Sequence, residues 1–236
     1  QAACNAGNTW TLDADFDAGV LANTNHAAPN GDQLQVSLDG FSAPRPYMFV
    51  AQPDEGRILK IDTVTGKQLA RYPALRISDC PKCGAEPASW KPSRIIVDLD
   101  GDVYTANRAP NAQGSLTRIA GSDARCIDRD GDGIITTSRD LDDDGIIDVN
   151  SPAEYRGQDD ECLLDSTAVG GINGVPLALT LDNLGHAYLG TFNESTAYKL
   201  DVTQSPPVEL AKFKLASSPH GFALRGDYLY QSGLST

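Results

Sequence analysis

Two aspartate runs, twelve residues apart, carry the strongest chemical signal in this chain. Asp128, Asp130 and Asp132 alternate ahead of Gly133, and Asp140, Asp142 and Asp144 alternate ahead of Gly145, so each run reads D-x-D-x-D-G. Alternating carboxylates on a tight turn gather hard oxygen ligands on one side. Glycine at the sixth position permits the bend that aims the next carbonyl, Ile134 or Ile146, at the same ion. An all-oxygen donor set favours Ca2+ over zinc or copper.

The twelfth positions are Arg139 and Ser151, where a helix-flanked EF-hand places a bidentate glutamate. Another carboxylate must therefore close each site. Asp140, one step beyond the first loop, is placed to bridge two ions, and Asp148 is a further ligand candidate, with Glu154 or Asp159 after it. Over residues 128–148 this tandem resembles the thrombospondin type 3 and dockerin-like calcium modules. A solvated acidic loop without metal is the alternative, and random acidity would not place both glycines correctly.

The elements that must hold these loops are legible from charge and cysteine spacing. Of 32 acidic and 19 basic residues, the stretch 123–165 holds 14 and 4, so it accounts for −10 of the net −13. A nearly balanced body with one acidic insertion lacks the basic face that nucleic acid requires. No apolar run approaches the roughly 18 residues of a membrane helix. Five cysteines, Cys4, Cys80, Cys83, Cys126 and Cys162, allow two disulfides and a spare thiol. Cys126 and Cys162 bracket the calcium loops, and a bridge there would contribute roughly 3 to 4 kcal/mol in the chain-entropy model. Cys80 and Cys83 lack the second cysteine or histidine pair of a zinc site, so a local bridge, or a bond from Cys4 to one of them, is the expectation. Calcium loops with disulfides point to a secreted, extracellular or periplasmic protein.

The body repeats a strand-turn-strand unit. Residues 92–104, 176–188 and 219–230 align across their turns, with period-two apolar alternation and turn glycines at Gly101 and Gly185. A third strand follows at 114–119 and 196–201, and an earlier copy enters midway at 48–51, 56–62 and 68–72. The repeated aromatics Phe49, Tyr104, Tyr188 and Tyr230 are 55, 84 and 42 residues apart. Without the 43 residues of the insertion the long interval becomes 41, the length of a four-stranded propeller blade. Through GRILKID at 56–62 and VDLDGDVYTANR at 97–108, residues 45–236 resemble NHL-type and streptogramin-lyase-like β-propellers.

The expected fold is therefore all-β, a partial β-propeller of about four visible blades with an inserted acidic calcium-binding loop. Residues 1–44 form N-terminal strands, at 10–16 and 33–37 around a loop at 23–26, that pack on the propeller. The alignment leaves Thr236 half-way through a blade, so another chain or chain segment is expected to complete it.

Ser93, Leu177 and His220 start the innermost strands and face one mouth of the central channel. The lyase resemblance implies a channel histidine with glutamate and a divalent ion, and it transfers to His220 alone, the candidate catalytic residue. His186 reads as a solvated turn residue. Asn107, Arg108, Asn193 and Glu194 fall at equivalent loop starts, where propellers expose binding residues. Two functions follow. The first is a non-catalytic module for binding, adhesion or extracellular assembly, with a protein or glycan partner or further copies of itself. The alternative is a lyase or lactonase-type enzyme with a divalent ion in the channel.

Overall fold

The computed structural model describes residues 46–84 and 90–234, together with a short strand pair, β1 (Thr24–Asn25) and β2 (Gln35–Val36). The chain divides into two compact units, Gln1–Pro46 and Tyr47–Thr236. In the first, β2 lies inside the expected strand at 33–37, but β1 falls where a loop was expected at 23–26. The expected strand at 10–16 lies outside the described residues, as does Cys4.

The second unit is a series of antiparallel meanders. The first sheet holds β3 (Tyr47–Gln52), β4 (Arg57–Asp62) and β5 (Gln68–Pro73). The second holds β6 (Pro92–Val97), β7 (Val103–Asn107), β8 (Gln113–Ile119) and β9 (Leu163–Ile172). The third holds β10 (Pro176–Leu181), β11 (His186–Thr191), β12 (Thr196–Asp201) and β13 (Val208–Lys214). The fourth is the hairpin of β14 (Ser218–Arg225) and β15 (Tyr228–Leu234). Strand order within each sheet follows the sequence, so each strand pairs with the next along the chain.

The repeated turns have a repeated cause. Asp98 Oδ1 accepts the Asp102 amide at 2.9 Å, and Asp182 Oδ1 accepts the His186 amide at 2.9 Å. The repeat aromatics complete the motif, for the Tyr104 and Tyr188 hydroxyls donate to Asp98 Oδ2 and Asp182 Oδ2 at 3.3 and 3.4 Å. Gly101 and Gly185 take φ of +92° and +83°, a region closed to most side chains. Arg225 stands at the aspartate position in the fourth sheet, and a shorter turn begins there at Gly226, φ +56°.

Sheets stack face to face in the same way at each step. β3 packs on β6, β7 on β10 and β11 on β14, while β6, β10 and β14 lie side by side. β7 is buried at all five positions because both its faces are covered. Val103 joins Ile58, Tyr72 and Ile119 in the core against the first sheet, whereas Tyr104 and Ala106 join Leu189 and Leu200 in the core against the third. The next contact is closer still: a Cβ on Gly190 of β11 would lie 2.7 Å from Phe222 and 2.8 Å from Pro219 of β14. Glycine here lets the third and fourth sheets meet.

The acidic insertion joins β8 to β9. Since β9 starts at Leu163, residues 163–165, counted with the insertion at 123–165, belong to the second sheet's fourth strand. Two disulfides are present, Cys126–Cys162 across the base of the insertion and Cys80–Cys83 in the connection from the first sheet to the second. Cys80 and Cys83 are buried with Leu75 and Trp90 in a small core of their own.

Candidate functional site

The two aspartate loops fold alike. In the first, Asp128 Oδ2 accepts the Gly133 amide at 2.9 Å, Asp130 Oδ1 the Asp132 amide at 3.1 Å, and Asp132 Oδ1 the Ile134 amide at 2.7 Å. In the second, Asp140 Oδ2 accepts from Gly145 at 2.8 Å, Asp142 Oδ1 from Asp144 at 3.3 Å, and Asp144 Oδ1 from Ile146 at 2.7 Å. Gly133 and Gly145 take φ of +81° and +93°. Each loop is thus wound by its own carboxylates.

Carboxylate oxygens of Asp128, Asp130 and Asp132 lie within 4.8 Å of one another, and so do those of Asp140, Asp142 and Glu154. Among the described residues, Asp144 and Asp148 do not join these groups. Asp144 caps Ile146, and Asp148 Oδ1 accepts the Asn150 amide at 2.8 Å. Glu154 enters from beyond the loop, is buried, and also accepts the Asp148 amide at 2.9 Å. Asp140 keeps one buried oxygen, Oδ1, without a hydrogen-bond partner.

Electrostatics differ between the loops. The amides of Gly133 and Gly131 hold the Asp128 carboxyl below its ordinary value. At Asp142 the Asp144 amide pulls the same way, but desolvation and the charges of Asp144 and Glu154 outweigh it and hold the carboxyl up. Crowded carboxylates with an unpartnered buried oxygen are the arrangement a cation relieves.

The loops are anchored on both sides. Asp160 is fully buried, yet its two oxygens accept the Thr137 hydroxyl at 2.8 Å, the Cys162 amide at 3.0 Å and the Ser138 amide and hydroxyl at 2.8 and 2.6 Å. Next to it, Glu161 accepts the Arg129 amide at 2.6 Å and the Thr136 amide at 2.7 Å, bracketing the first loop. The second loop lies along the first sheet's outer strand. There the Gln68 amide donates to Gly145 O at 3.1 Å, Arg71 Nη1 to Ile147 O at 2.9 Å and Lys67 Nζ to Asp143 Oδ1 at 2.6 Å. Arg57 stacks over Tyr155 at 5.5 Å. Arg139, at the first loop's twelfth position, pairs instead with Asp123 at 2.5 Å.

At the opposite end of the sheets, Ser93, Leu177 and His220 occupy equivalent places. Each is the extra residue of a bulge in the pairing of first and second strands: Ser93 between Pro92↔Asn107 and Arg94↔Ala106, Leu177 between Pro176↔Thr191 and Ala178↔Gly190, and His220 between Pro219↔Gly233 and Gly221↔Ser232. Arg94 Nη2 stands 3.4 Å from His220 Nδ1. Among the described residues no metal-type cluster includes His220.

Other sequence candidates have structural roles. Asn107 is fully buried in β7, with Nδ2 2.6 Å from Ala74 O, so it ties sheets together and is not a loop-start binding residue. Arg108 is half-buried. Asn193 Nδ2 donates to Asn173 O at 2.8 Å, and Glu194 accepts the Gly171 amide at 2.7 Å and the Tyr198 hydroxyl at 3.2 Å. His186 is half-buried rather than solvated, its Nδ1 2.8 Å from Asp182 Oδ2. A cleft of about 440 Å3 between the turns of the second and third sheets is lined by Asp98, Asp182, Arg118 and Arg125. Its guanidiniums are already paired, Arg118 with Asp165 at 2.6 Å and Arg125 with Asp102 at 2.7 Å.

No protein-family model matches the chain, and neither does any curated protein. In shape it is similar to selenomethionine-substituted virginiamycin B lyase from Staphylococcus aureus, with TM-score 0.47 and 15% identity over 81% of this chain and 46% of that chain. The same values hold for a catalytically inactive variant of that lyase with quinupristin. A streptogramin B lyase structure gives TM-score 0.31 and 13% identity over 87% of this chain and 74% of that one. The chain thus spans about half the length of the virginiamycin B lyases it matches.

Proposed function

We propose that the chain is an arc of a secreted β-propeller whose inserted loops bind calcium, and that it serves as a binding or extracellular assembly module. The propeller reading rests on the stacking of β3 on β6, β7 on β10 and β11 on β14, the same step taken three times. One observation carries the metal reading: the buried, unpartnered Asp140 Oδ1 lies in a loop whose Asp142 and Glu154 carboxylates converge with it. Leaving such an oxygen uncompensated costs stability, and a hard cation removes that cost.

Asp128, Asp130 and Asp132 would hold one ion and Asp140, Asp142 and Glu154 another, with the Ile134 and Ile146 carbonyls as further ligands. Bound calcium supplies charge neutralisation and no catalysis. Its consequence is mechanical, because the second loop rests on β5 through Gln68, Arg71 and Lys67 and therefore ties the first sheet to the second. Covering β5 also shields an edge strand from pairing with other chains. The two disulfides agree with an oxidising compartment.

The lyase or lactonase-type alternative shares its shape with the lyases above, but the surroundings of His220 do not add to it. His220 Nδ1 faces the Arg94 guanidinium at 3.4 Å, a cation on the side where a divalent ion would need a ligating carboxylate. Thermal unfolding in calcium against chelator tests the main reading. Calcium should raise the Tm in proportion to the logarithm of its concentration above the Kd, with magnesium much weaker. Identical melting curves in calcium and chelator would refute it.

A further inference from the structure

We infer that Arg94 and His220 form a subsite for an oxyanion, a carboxylate or phosphate group, on the inner-strand face opposite the acidic insertion. Two elements that are distant in sequence make it, β6 and β14. Arg94 Nη1 donates to Ser93 O at 3.2 Å, and Nη2 lies 3.4 Å from both His220 O and His220 Nδ1. These three contacts engage Nη1 and Nη2 and fix the plane of the group. Nε and one Nη1 donor remain, and among the described residues Arg94 has no carboxylate partner. Most of its counterparts do: Arg57, Arg71, Arg76, Arg118, Arg125 and Arg139 each pair with an aspartate or glutamate. In a chain of net charge −13, a guanidinium left open beside an exposed imidazole is a built contrast.

Backbone geometry points to the same end of the sheets. The bulges at Ser93 and His220 turn these strands locally, the usual device for re-aiming a side chain. Of the seven described non-glycine residues with positive φ, six lie in the connections at this end: Lys91, Ala109, Asn111, Asn173, Val175 and Ser195. Val175, a β-branched residue at φ +58°, is strained, and such strain gathers at ligand-binding faces. An oxyanion fits the remaining guanidinium donors bidentately, and the imidazole stands beside it to donate a further bond. This assignment stands independently of the calcium reading, since no acidic-loop residue takes part.

The test follows the imidazole signals by NMR while sodium acetate or inorganic phosphate is added at constant ionic strength, with sodium chloride as the reference. His220→Asn assigns the signal, and His186, paired with Asp182 at the far end of the sheets, is the internal control. Saturable shifts at His220 alone are expected. They should weaken about tenfold or more in Arg94→Gln and be partly retained in Arg94→Lys. Whichever anion saturates at lower concentration names the group. Shifts no larger than chloride produces, or saturation unchanged in Arg94→Gln, would overturn the assignment.

Discussion

At Asp62 and Asp201 the same chemistry closes two turns between third and fourth strands. Asp62 Oδ1 accepts the Val64 and Thr65 amides at 2.7 and 2.8 Å, and Asp201 Oδ1 accepts the Thr203 amide at 2.9 Å and hydroxyl at 2.6 Å. The Thr65 and Val64 amides hold the Asp62 carboxyl below its ordinary value, and the Thr203 hydroxyl and amide do the same for Asp201. A carboxyl lowered by folding contributes stability that is present above the unfolded value and is lost as pH falls through the folded one. The acid limb of the stability curve should therefore flatten in Asp62→Asn and flatten further in the double variant with Asp201→Asn, as measured by Tm across the carboxylate range. Unchanged slopes would show that these caps do not titrate with folding.

Legibility at this scale followed distance along the chain. Asp128, Asp130 and Asp132 converge because their spacing is local, and the two glycines marked both loops. Glu154 joins Asp140 and Asp142 from ten residues past the loop's third alternating aspartate, Asp144, and only the folded path of the insertion shows why it, and not Asp148 or Asp159, comes near. Asp160 and Glu161 were invisible as anchors, since a carboxylate run carries no sign of which members are buried.

Among the elements, hairpins with aspartate-capped, glycine-containing turns were readable, and their strands lie where the alternation puts them. Of the fourth strands, β5 was read at 68–72, but β9 and β13 were not. β9 is buried on both faces over residues 163–166, so it shows no alternation, and its start was absorbed into the insertion. Docking of the insertion on β5 was equally hidden, because Gln68 and Arg71 act through carbonyls of Gly145 and Ile147. This contact makes a prediction. Arg71→Ala should free the second loop and speed trypsin cleavage after Arg139 several-fold in calcium, approaching the rate of the unsubstituted chain in chelator. Equal rates in the two proteins would place the clamp elsewhere.

For the whole molecule, sheet stacking is the source of stability, and the repeat aromatics report it. Tyr104 lies between the second and third sheets at 3% exposure, while Tyr230, its equivalent in β15, is 56% exposed. Tyr104→Ala should cost about 3 kcal/mol or more in urea unfolding, the range for truncating a buried aromatic. Tyr230→Ala should stay within about 0.5 kcal/mol. Comparable costs would mean that β15 is covered as β7 is. We propose that another chain packs a further sheet on β15, repeating the step of β11 on β14, so that Tyr230→Ala becomes costly only once that partner is bound.

Calorimetric titration with calcium at low ionic strength tests the central claim most directly. The account predicts saturable binding at two sites, one lost in Asp130→Asn and the other in Glu154→Gln, with the remaining site intact in each. Glu154→Gln is the sharper arm, since it keeps the shape of the side chain and removes only the charge that converges on Asp140 and Asp142. Absence of saturable heat in the unsubstituted chain, or two undiminished sites in both variants, would contradict calcium as the ion that holds the insertion.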